Sequence, residues 1–356
     1  MWSLKVVGLD SLNFLEAVRG LPEQIADAHG AARDALQGAL LPSSADLTSI
    51  AVLGMGGSGI SGDVLASVGS NELSLPVLVH KQIRTPAYIG ERTLVFAVSY
   101  SGETEETVAM TRGAIAAGAR VVVISSGGEL ARMANESGAL HLSCPPGFMP
   151  RAAIGALVAP ILSTLGAIGL LANVDDELSS ARDQLAVRRD ACAPEVSAPG
   201  NIAKELARNI GGTFPVIYGG GAIGSVAAMR WKCDINENAK APAFWAAYPE
   251  LDHNEICAWG QHGDVTRQVI SMIELRHEYE HDRLAQRIEV TRDIVSEAVH
   301  QVLEVRASGS GRLAQLLDLM YVGDWVSVYM AMNAGVDPGP IEAIATLKGI
   351  LGSTAQ

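Results

Sequence analysis

Residues 49–68 read SIAVLGMGGSGISGDVLASV. A short apolar run, Ile50 to Leu53, stops at a glycine cluster, Gly54, Gly56, Gly57 and Gly59, and apolar periodicity resumes from Ile60. That is the pattern of a strand, a tight loop and a helix. Such a loop leaves the first amides of the helix without partners and able to meet an anion, and Ser58 adds a hydroxyl donor. Gly54, Gly56 and Gly59 also fit the GxGxxG spacing of dinucleotide-binding turns. The next strand argues against that ligand, because PVLVHKQ at 76–82 ends in His80 and Lys81 where an acid for the ribose is expected.

Working outward, Thr93 to Val98 predicts a further strand that runs into SYSGETEETVAM at 99–110. Ser99, Ser101, Thr104 and Thr107 gather at a strand-to-helix junction where one N-cap is needed. Capping by Ser101 or Thr104 accounts for part of this cluster; the surplus hydroxyls, with free amides, suit a phosphate without any lysine. Strands at Arg120 to Ser125 and near His141 complete an open α/β sheet, with ligand loops at the carboxyl ends of its strands. Upstream, Leu12 to Gln37 has helical periodicity around Pro22 and predicts two short helices acting as a lid or brace. Downstream, Ala152 to Ala172 is 21 residues without a charge. Pro160, three glycines, Ser163 and Thr164 dilute it, which favours a buried helix in a domain or dimer core over a membrane span. Arg151, just before it, is either a surface charge or a cation aimed at the cleft.

Asn173 to Asn201 reads as a helix and linker. The motif then recurs as TFPVIYGGGAIGSVAAMRW at 213–231, with Gly219, Gly220 and Ile223 aligned on Gly56, Gly57 and Ile60. A second α/β domain follows from the repeat. Its hydroxyl loop is missing, and the stretch Arg230 to Trp259, RWKCDINENAKAPAFWAAYPELDHNEICAW, is expected in its place. That stretch holds Glu237 between two asparagines and His253 between Asp252 and Asn254, a carboxylate and an imidazole fit for proton transfer. A solvated loop with helix caps is the plainer reading of the same residues. Strands are expected at Val265 to Leu275 and His300 to Arg306, with a charged helix, Glu278 to Val299, between them. A long helix, Gly311 to Ala334, leads through a DPGP turn to a last helix carrying Lys348. Met320, Tyr321, Trp325, Tyr329, Met330 and Met332 read as core and subunit contacts.

The chain has 356 residues, 48% of them hydrophobic, which fills two domains. A net charge of −13 argues against nucleic acid or an anionic membrane as the main partner. Cys144, Cys192, Cys233 and Cys257 show no CxxC spacing and read as reduced thiols of a cytoplasmic protein. The start, MWSLKVVGLDSLNF, lacks the basic and apolar regions of a signal peptide.

GMGGSGISGD, VSYSGETEET, PRAA at Pro150 to Ala153, NENAKAPAF, ELDHNE and a late LK together resemble the bifunctional phosphoglucose/phosphomannose isomerase family, a branch of the phosphoglucose isomerase superfamily. The resemblance runs from about Ile50 to the end. It implies two sugar isomerase (SIS) domains, each an open, mainly parallel sheet flanked by helices. N-terminal helices would span 1–44, the phosphate-binding domain 45–172, a helix and linker 173–200, and the catalytic domain 201–356. It further implies that Gly57, Ser58, Ser99, Ser101 and Thr104 bind the phosphate of a hexose 6-phosphate. Glu237 would move a proton between C2 and C1 through a cis-enediolate that Arg151 stabilises. His253, from the neighbouring subunit of a homodimer, and Lys348 would open the sugar ring and shuttle protons on oxygen. No metal or cofactor is implied. Family members often carry a hydroxyl residue in the DPxP turn, where this chain has Gly339, so mannose 6-phosphate is a less secure substrate than the glucose/fructose pair. A phosphosugar sensor, the isomerase half of a hexosamine synthase and an isomerase of another phosphosugar are the alternatives. A sensor has no need of Glu237, His253, Arg151 and Lys348 together, and a hexosamine synthase needs an amino-terminal nucleophile, which does not follow Met1.

Overall fold

The computed structural model describes residues 9–354. The segment MWSLKVVG, where the signal-peptide reading begins, lies outside them. Helices α1 (Phe14–Arg19) and α2 (Leu21–Leu36) come first. They divide at Gly20, and Pro22 sits in the first turn of α2, where a missing N–H is harmless.

The first sheet contains β1 (Ser49–Leu53), β2 (Val77–His80), β3 (Thr93–Val98), β4 (Arg120–Ser125) and β5 (Leu140–Ser143), all parallel, in the order β2-β1-β3-β4-β5. β1 and β3 are buried from end to end because helices cover both faces, among them α3 (Gly56–Val68), α4 (Glu105–Ala116) and α5 (Gly128–Ser137). Strand order reverses direction between β1 and β3, so the loops after these two strands face the crevice where ligands of such sheets sit. The apolar segment forms α6 (Ile154–Ala167), buried from Ile154 to Leu165. α2 lays Leu21, Ile25 and Ala28 on it, so the N-terminal helices are a brace. Among the described residues no helix is long and apolar enough to cross a membrane.

After α7 (Val174–Cys192) and α8 (Ile202–Ile210), a second parallel sheet is built from β6 (Phe214–Gly220), β7 (Phe244–Tyr248), β8 (Ile270–Arg276) and β9 (Gln301–Arg306), in the order β7-β6-β8-β9. α9 (Gly221–Asp234) follows β6, α10 (Gly263–Val269) precedes β8, and α11 (Asp282–Val295) joins β8 to β9. The expected strand Val265 to Leu275 is therefore half helix. Arg267 and Gln268 are too polar for a central strand, and only Ile270–Arg276 enters the sheet. The charged helix starts late because His281 caps it, its Nδ1 accepting the Arg283 amide at 3.1 Å.

The repeat is present in three dimensions with its register shifted by two residues from the one read in the sequence. Cβ atoms added at Gly54 and Gly59 would collide with each other's backbone, and the same holds for Gly219 and Gly224. Gly56 (φ 53°) and Gly221 (φ 60°) both begin their helices in the left-handed region. Gly219, Gly221 and Gly224 thus correspond to Gly54, Gly56 and Gly59. The region equivalent to the hydroxyl loop is likewise not the Glu237 to His253 stretch. It is Arg276 to His281, since Leu275, paired with Gly219, precedes the cap of α11 by the same spacing that separates Val98 from the cap Thr104.

α12 (Arg312–Ala334) passes through the centre, buried from Leu313 to Ala331. Met320, Tyr321, Trp325, Tyr329 and Met330 on it are core residues with no face left for a subunit contact, and Met332 is half-buried. Trp231 of α9 lies against Gly323, where a Cβ would stand 2.5 Å from its ring, and its Nε1 donates to the Leu319 carbonyl at 2.7 Å. Arg188 of α7 forks onto Asp318 of α12 at 2.8 and 2.7 Å, a buried charge matched by a carboxylate. α13 (Glu342–Thr354) closes the described chain.

Candidate active site

The loops after β1 and β3 bring Gly57, Ser58, Ser99, Ser101 and Thr104 to the first crevice. Ser58 is buried and its Oγ accepts the Tyr100 amide at 3.2 Å, tying the two loops together. Ser99 Oγ and Thr104 Oγ1 share a hydrogen bond of 2.9 Å. Thr104 stands at the N-cap of α4, yet its side chain makes no capping bond, and α3 begins at Met55 with no side-chain cap either. Ser101 Oγ accepts the Glu103 amide at 3.2 Å within the turn. Two helix N-termini thus converge with their amides unspent and hydroxyls beside them, the environment a phosphate dianion favours. Lys81, at the end of the adjacent strand, is paired with Asp63.

Gly57 connects this crevice to the rest of the site, since a Cβ there would meet the Pro150 carbonyl at 3.1 Å and the Arg151 Cα at 3.3 Å. Arg151 is buried, only 3% exposed. Its Nε donates to Asn238 Oδ1 at 2.7 Å, and its Nη2 donates to the carbonyls of Pro338 and Gly339 at 2.6 Å each. Its guanidinium rests 4.6 Å above the Phe14 ring centroid. Burial pulls its pKa down, and the nearby charges of Glu237 and Asp234 pull it back up. The side chain is a buried cation rather than a surface charge.

Glu237 and Asn238 lie in a π-helical turn, Ile235–Ala239, that ends α9 at Lys240 (φ 55°). Turns of this kind are frequent at functional sites because one extra residue redirects the side chains. Lys240 Nζ donates to the Glu237 carbonyl at 2.6 Å. Glu237 is half-buried and lines a cleft of about 680 Å³ with Asn236, Lys240, Asp337, Pro340 and Ile341. The Arg151 guanidinium lies buried behind the wall of that cleft, linked to it by its bond to Asn238, the residue after Glu237.

His253 is not brought to that cleft. It is exposed at the end of the turn Glu250–His253 beyond edge strand β7. Its neighbours are fixed inward. Asp252 Oδ1 accepts from Thr291 at 2.8 Å, and Glu255 Oε1 accepts from Tyr218 at 2.5 Å. Lys348 is also exposed, on α13, whose first turn alone reaches the cleft through Glu342, Ala343 and Ile344.

Residues not singled out from the sequence complete the site. Arg230 Nη2 donates to the Arg151 carbonyl at 2.5 Å and to Asp324 Oδ1 at 2.9 Å, and Asn238 Nδ2 donates to Ser327 Oγ at 2.9 Å. Asp234, fully buried beside Arg230, has its pKa raised well above the carboxylate range, by burial first and by the neighbouring Asp324. The available signal was Asp324 and Ser327, polar residues one turn apart inside an apolar helix. Among the described residues no cluster of His, Cys, Asp or Glu is arranged to hold a metal ion.

Two parallel sheets, the first with a crevice of free helix amides and hydroxyls at the reversal of its strand order, define a protein of two sugar isomerase domains. Residues 45–173 match the SIS domain family, and residues 200–351 match the bacterial phospho-glucose isomerase C-terminal SIS domain. The chain is 35% identical to a bifunctional phosphoglucose/phosphomannose isomerase of Caldicellulosiruptor bescii, over 94% of this chain and 98% of that one. It is 33% identical to the Aquifex aeolicus protein of the same description, over 85% and 91%. A D-glucosamine-6-phosphate 4-epimerase of Sulfolobus acidocaldarius is 33% identical over 61% of this chain and 65% of its own. A solved glucose-6-phosphate isomerase like protein from Thermus thermophilus superposes with a TM-score of 0.59 at 21% identity, covering 88% and 93%, and shares the fold. The chain belongs to the bifunctional phosphoglucose/phosphomannose isomerase family.

Proposed function

We propose that this chain interconverts glucose 6-phosphate or mannose 6-phosphate with fructose 6-phosphate through a cis-enediolate. The arrangement of Arg151 carries the reading: its backbone packs on Gly57 of the phosphate loop and its side chain is bonded to the residue after Glu237. Phosphate held by Gly57, Ser58, Ser99, Ser101 and Thr104 then places C1 and C2 beside Glu237, which moves the proton. Arg151 meets the negative charge that develops on the enediolate oxygens.

His253 serves a neighbouring copy in this reading, with Lys348 as the second group acting on oxygen. Phe244 and Trp245 of edge strand β7 are 56% and 38% exposed, and Leu347, Ile350 and Leu351 of α13 are more than half exposed. These apolar surfaces and the outward-facing His253 fit a homodimer. Four free thiols fit a cytoplasmic enzyme. Gly339 acts through its carbonyl on Arg151, and a Cβ there would press on Leu12 at 2.9 Å, so the turn offers no hydroxyl to the sugar.

Turnover of the metal-stripped protein on fructose 6-phosphate and mannose 6-phosphate, with glucosamine 6-phosphate as a third arm because of the epimerase relative, tests this. Glu237→Gln is expected to lower turnover by about 10²–10⁴-fold. Wild-type turnover of neither hexose phosphate, or an active Glu237→Gln enzyme, sinks the reading. Turnover of glucosamine 6-phosphate alone moves it to another phosphosugar. Mixing Glu237→Gln with His253→Ala chains should regain activity if the site is shared between copies.

A further inference from the structure

The hydrogen bonds around Arg151 form a closed circuit. Its Nε bonds Asn238 Oδ1, Asn238 Nδ2 bonds Ser327 Oγ, and Ser327 Oγ donates to the Asp324 carbonyl at 2.7 Å. Asp324 Oδ1 accepts from Arg230 Nη2, which also donates to the carbonyl of Arg151 itself. One turn of α12 therefore fixes both the main chain and the side chain of a residue that belongs to the other domain.

The acceptors on the guanidinium are an amide oxygen and two peptide carbonyls, and among the described residues Arg151 makes no ion pair within 4.0 Å. Arg188, by contrast, is forked onto the Asp318 carboxylate, which cancels its charge. Neutral acceptors hold a guanidinium in place and leave its charge whole. Nε and both Nη2 hydrogens are consumed, so the Nη1 edge is what remains for a ligand.

We propose that Asn238 is the positioning residue of Arg151: it fixes the guanidinium through a neutral acceptor, itself set by Ser327, so that an undiminished cation meets the oxyanion. This rests on the isomerase reading above. Asn238→Asp keeps the shape and the acceptor for Arg151 but adds a charge that cancels that of Arg151. It also loses the donor to Ser327, so the split between an enediolate mimic and sorbitol 6-phosphate, which a merely structural loss would not produce, is the deciding readout.

Steady-state kinetics on fructose 6-phosphate, together with titration of a phosphosugar hydroxamate (an enediolate mimic) and of sorbitol 6-phosphate, separates the two. For Asn238→Asp, kcat is expected to fall about 100-fold with KM within about threefold, and the hydroxamate to weaken in proportion while sorbitol 6-phosphate does not. Retained kcat, or equal loss of both ligands, overturns the proposal. Should that variant fail to fold, Ser327→Ala, which frees the Asn238 amide, is expected to lower kcat about tenfold at unchanged KM, and an unchanged kcat is the overturning result. If the wild type binds both ligands without turning over sugar, the isomerase reading fails and the hydroxamate ratio still decides the role of Asn238. A wild type that binds neither overturns both.

Discussion

After β1 the chain reads Gly54-Met55-Gly56-Gly57-Ser58-Gly59, and at the end of β6 it reads Gly219-Gly220-Gly221-Ala222-Ile223-Gly224. The glycines match because a strand and its following helix approach too closely for any Cβ. The residues between them do not match, and there the two crevices part. In the first, Ser58 accepts an amide from the β3 loop, and among the described residues the hydroxyls of Ser99 and Thr104 bond only each other. In the second, Ile223 is buried where Ser58 would be, and the loop after β8 bonds to its own protein. Arg276 forks onto Glu280 at 2.9 and 2.8 Å and reaches Glu289 at 2.6 Å, while His277 Nε2 donates to the Gly220 carbonyl at 2.8 Å. One crevice leaves donors unspent and the other spends them on cohesion. Duplicated folds are thus held by the same backbone contacts while function follows the few side chains that those contacts do not constrain.

Exchanging the residue before the last glycine should break this comparison most sharply. Ser58→Ile removes a hydroxyl and crowds the first amides of α3, and under the proposed function is expected to weaken fructose 6-phosphate binding by about 100-fold or more. Ile223→Ser should leave binding unchanged and lower the unfolding free energy by about 1–3 kcal/mol. Calorimetric titration and denaturant unfolding read both. Binding lost in Ile223→Ser, or kept in Ser58→Ile, would mean that the crevices have been assigned the wrong way round.

A smaller effect separates hydroxyls that bind from hydroxyls that cap. Ser99→Ala and Thr104→Val each remove one donor, and each is expected to raise KM about tenfold with kcat within about threefold. Arg276→Met in the second crevice should lower the melting temperature and leave KM alone. An unmoved KM in both hydroxyl variants, with lower helix stability, would return Ser99 and Thr104 to a capping role.

Five strands of the first sheet were legible because each is an apolar run bounded by glycine or hydroxyl turns, and β3 and β4 have the bounds read from the sequence. The second sheet was legible as a repeat but not in its register, since GGG at 219–221 offers several alignments and only the clash of Gly219 with Gly224 selects one. Chain order also misplaced the counterpart of the hydroxyl loop, because Arg276 to His281 carries no serine, threonine or glycine and, position by position, shares only Glu280, aligned on Glu103, with Ser99 to Thr104. Arg151 and Glu237 were legible as candidates. What joins them was not, because Asn238, Ser327 and Arg230 are recruited from far along the chain, and an asparagine beside a glutamate looks like a helix end until its amide is seen bonded on both sides.

The smallest expected effect concerns His277, which stands where the first crevice has Tyr100. Its Nε2 donates to Gly220 and its Nδ1 accepts the Tyr279 amide at 3.2 Å, so both nitrogens are committed in the neutral ring. A second proton would have to sit on Nδ1 against an N–H. Burial pushes its pKa below 6.5; the Gly220 carbonyl and the Glu280 charge oppose this, and Arg312 and Arg276 reinforce it. The unfolded chain therefore binds more protons at this position than the folded one. The stability it contributes is complete above about pH 6.5 and is lost as pH falls toward the lowered folded value, with a slope of up to about 1.4 kcal/mol per pH unit. His277→Gln keeps a donor for Gly220 and does not titrate, so its unfolding free energy between pH 7 and 5 should fall less than that of the wild type. Parallel slopes would show that the second crevice does not rest on a neutral imidazole, and the contrast with the titration-free Tyr100 position would lose its physical basis.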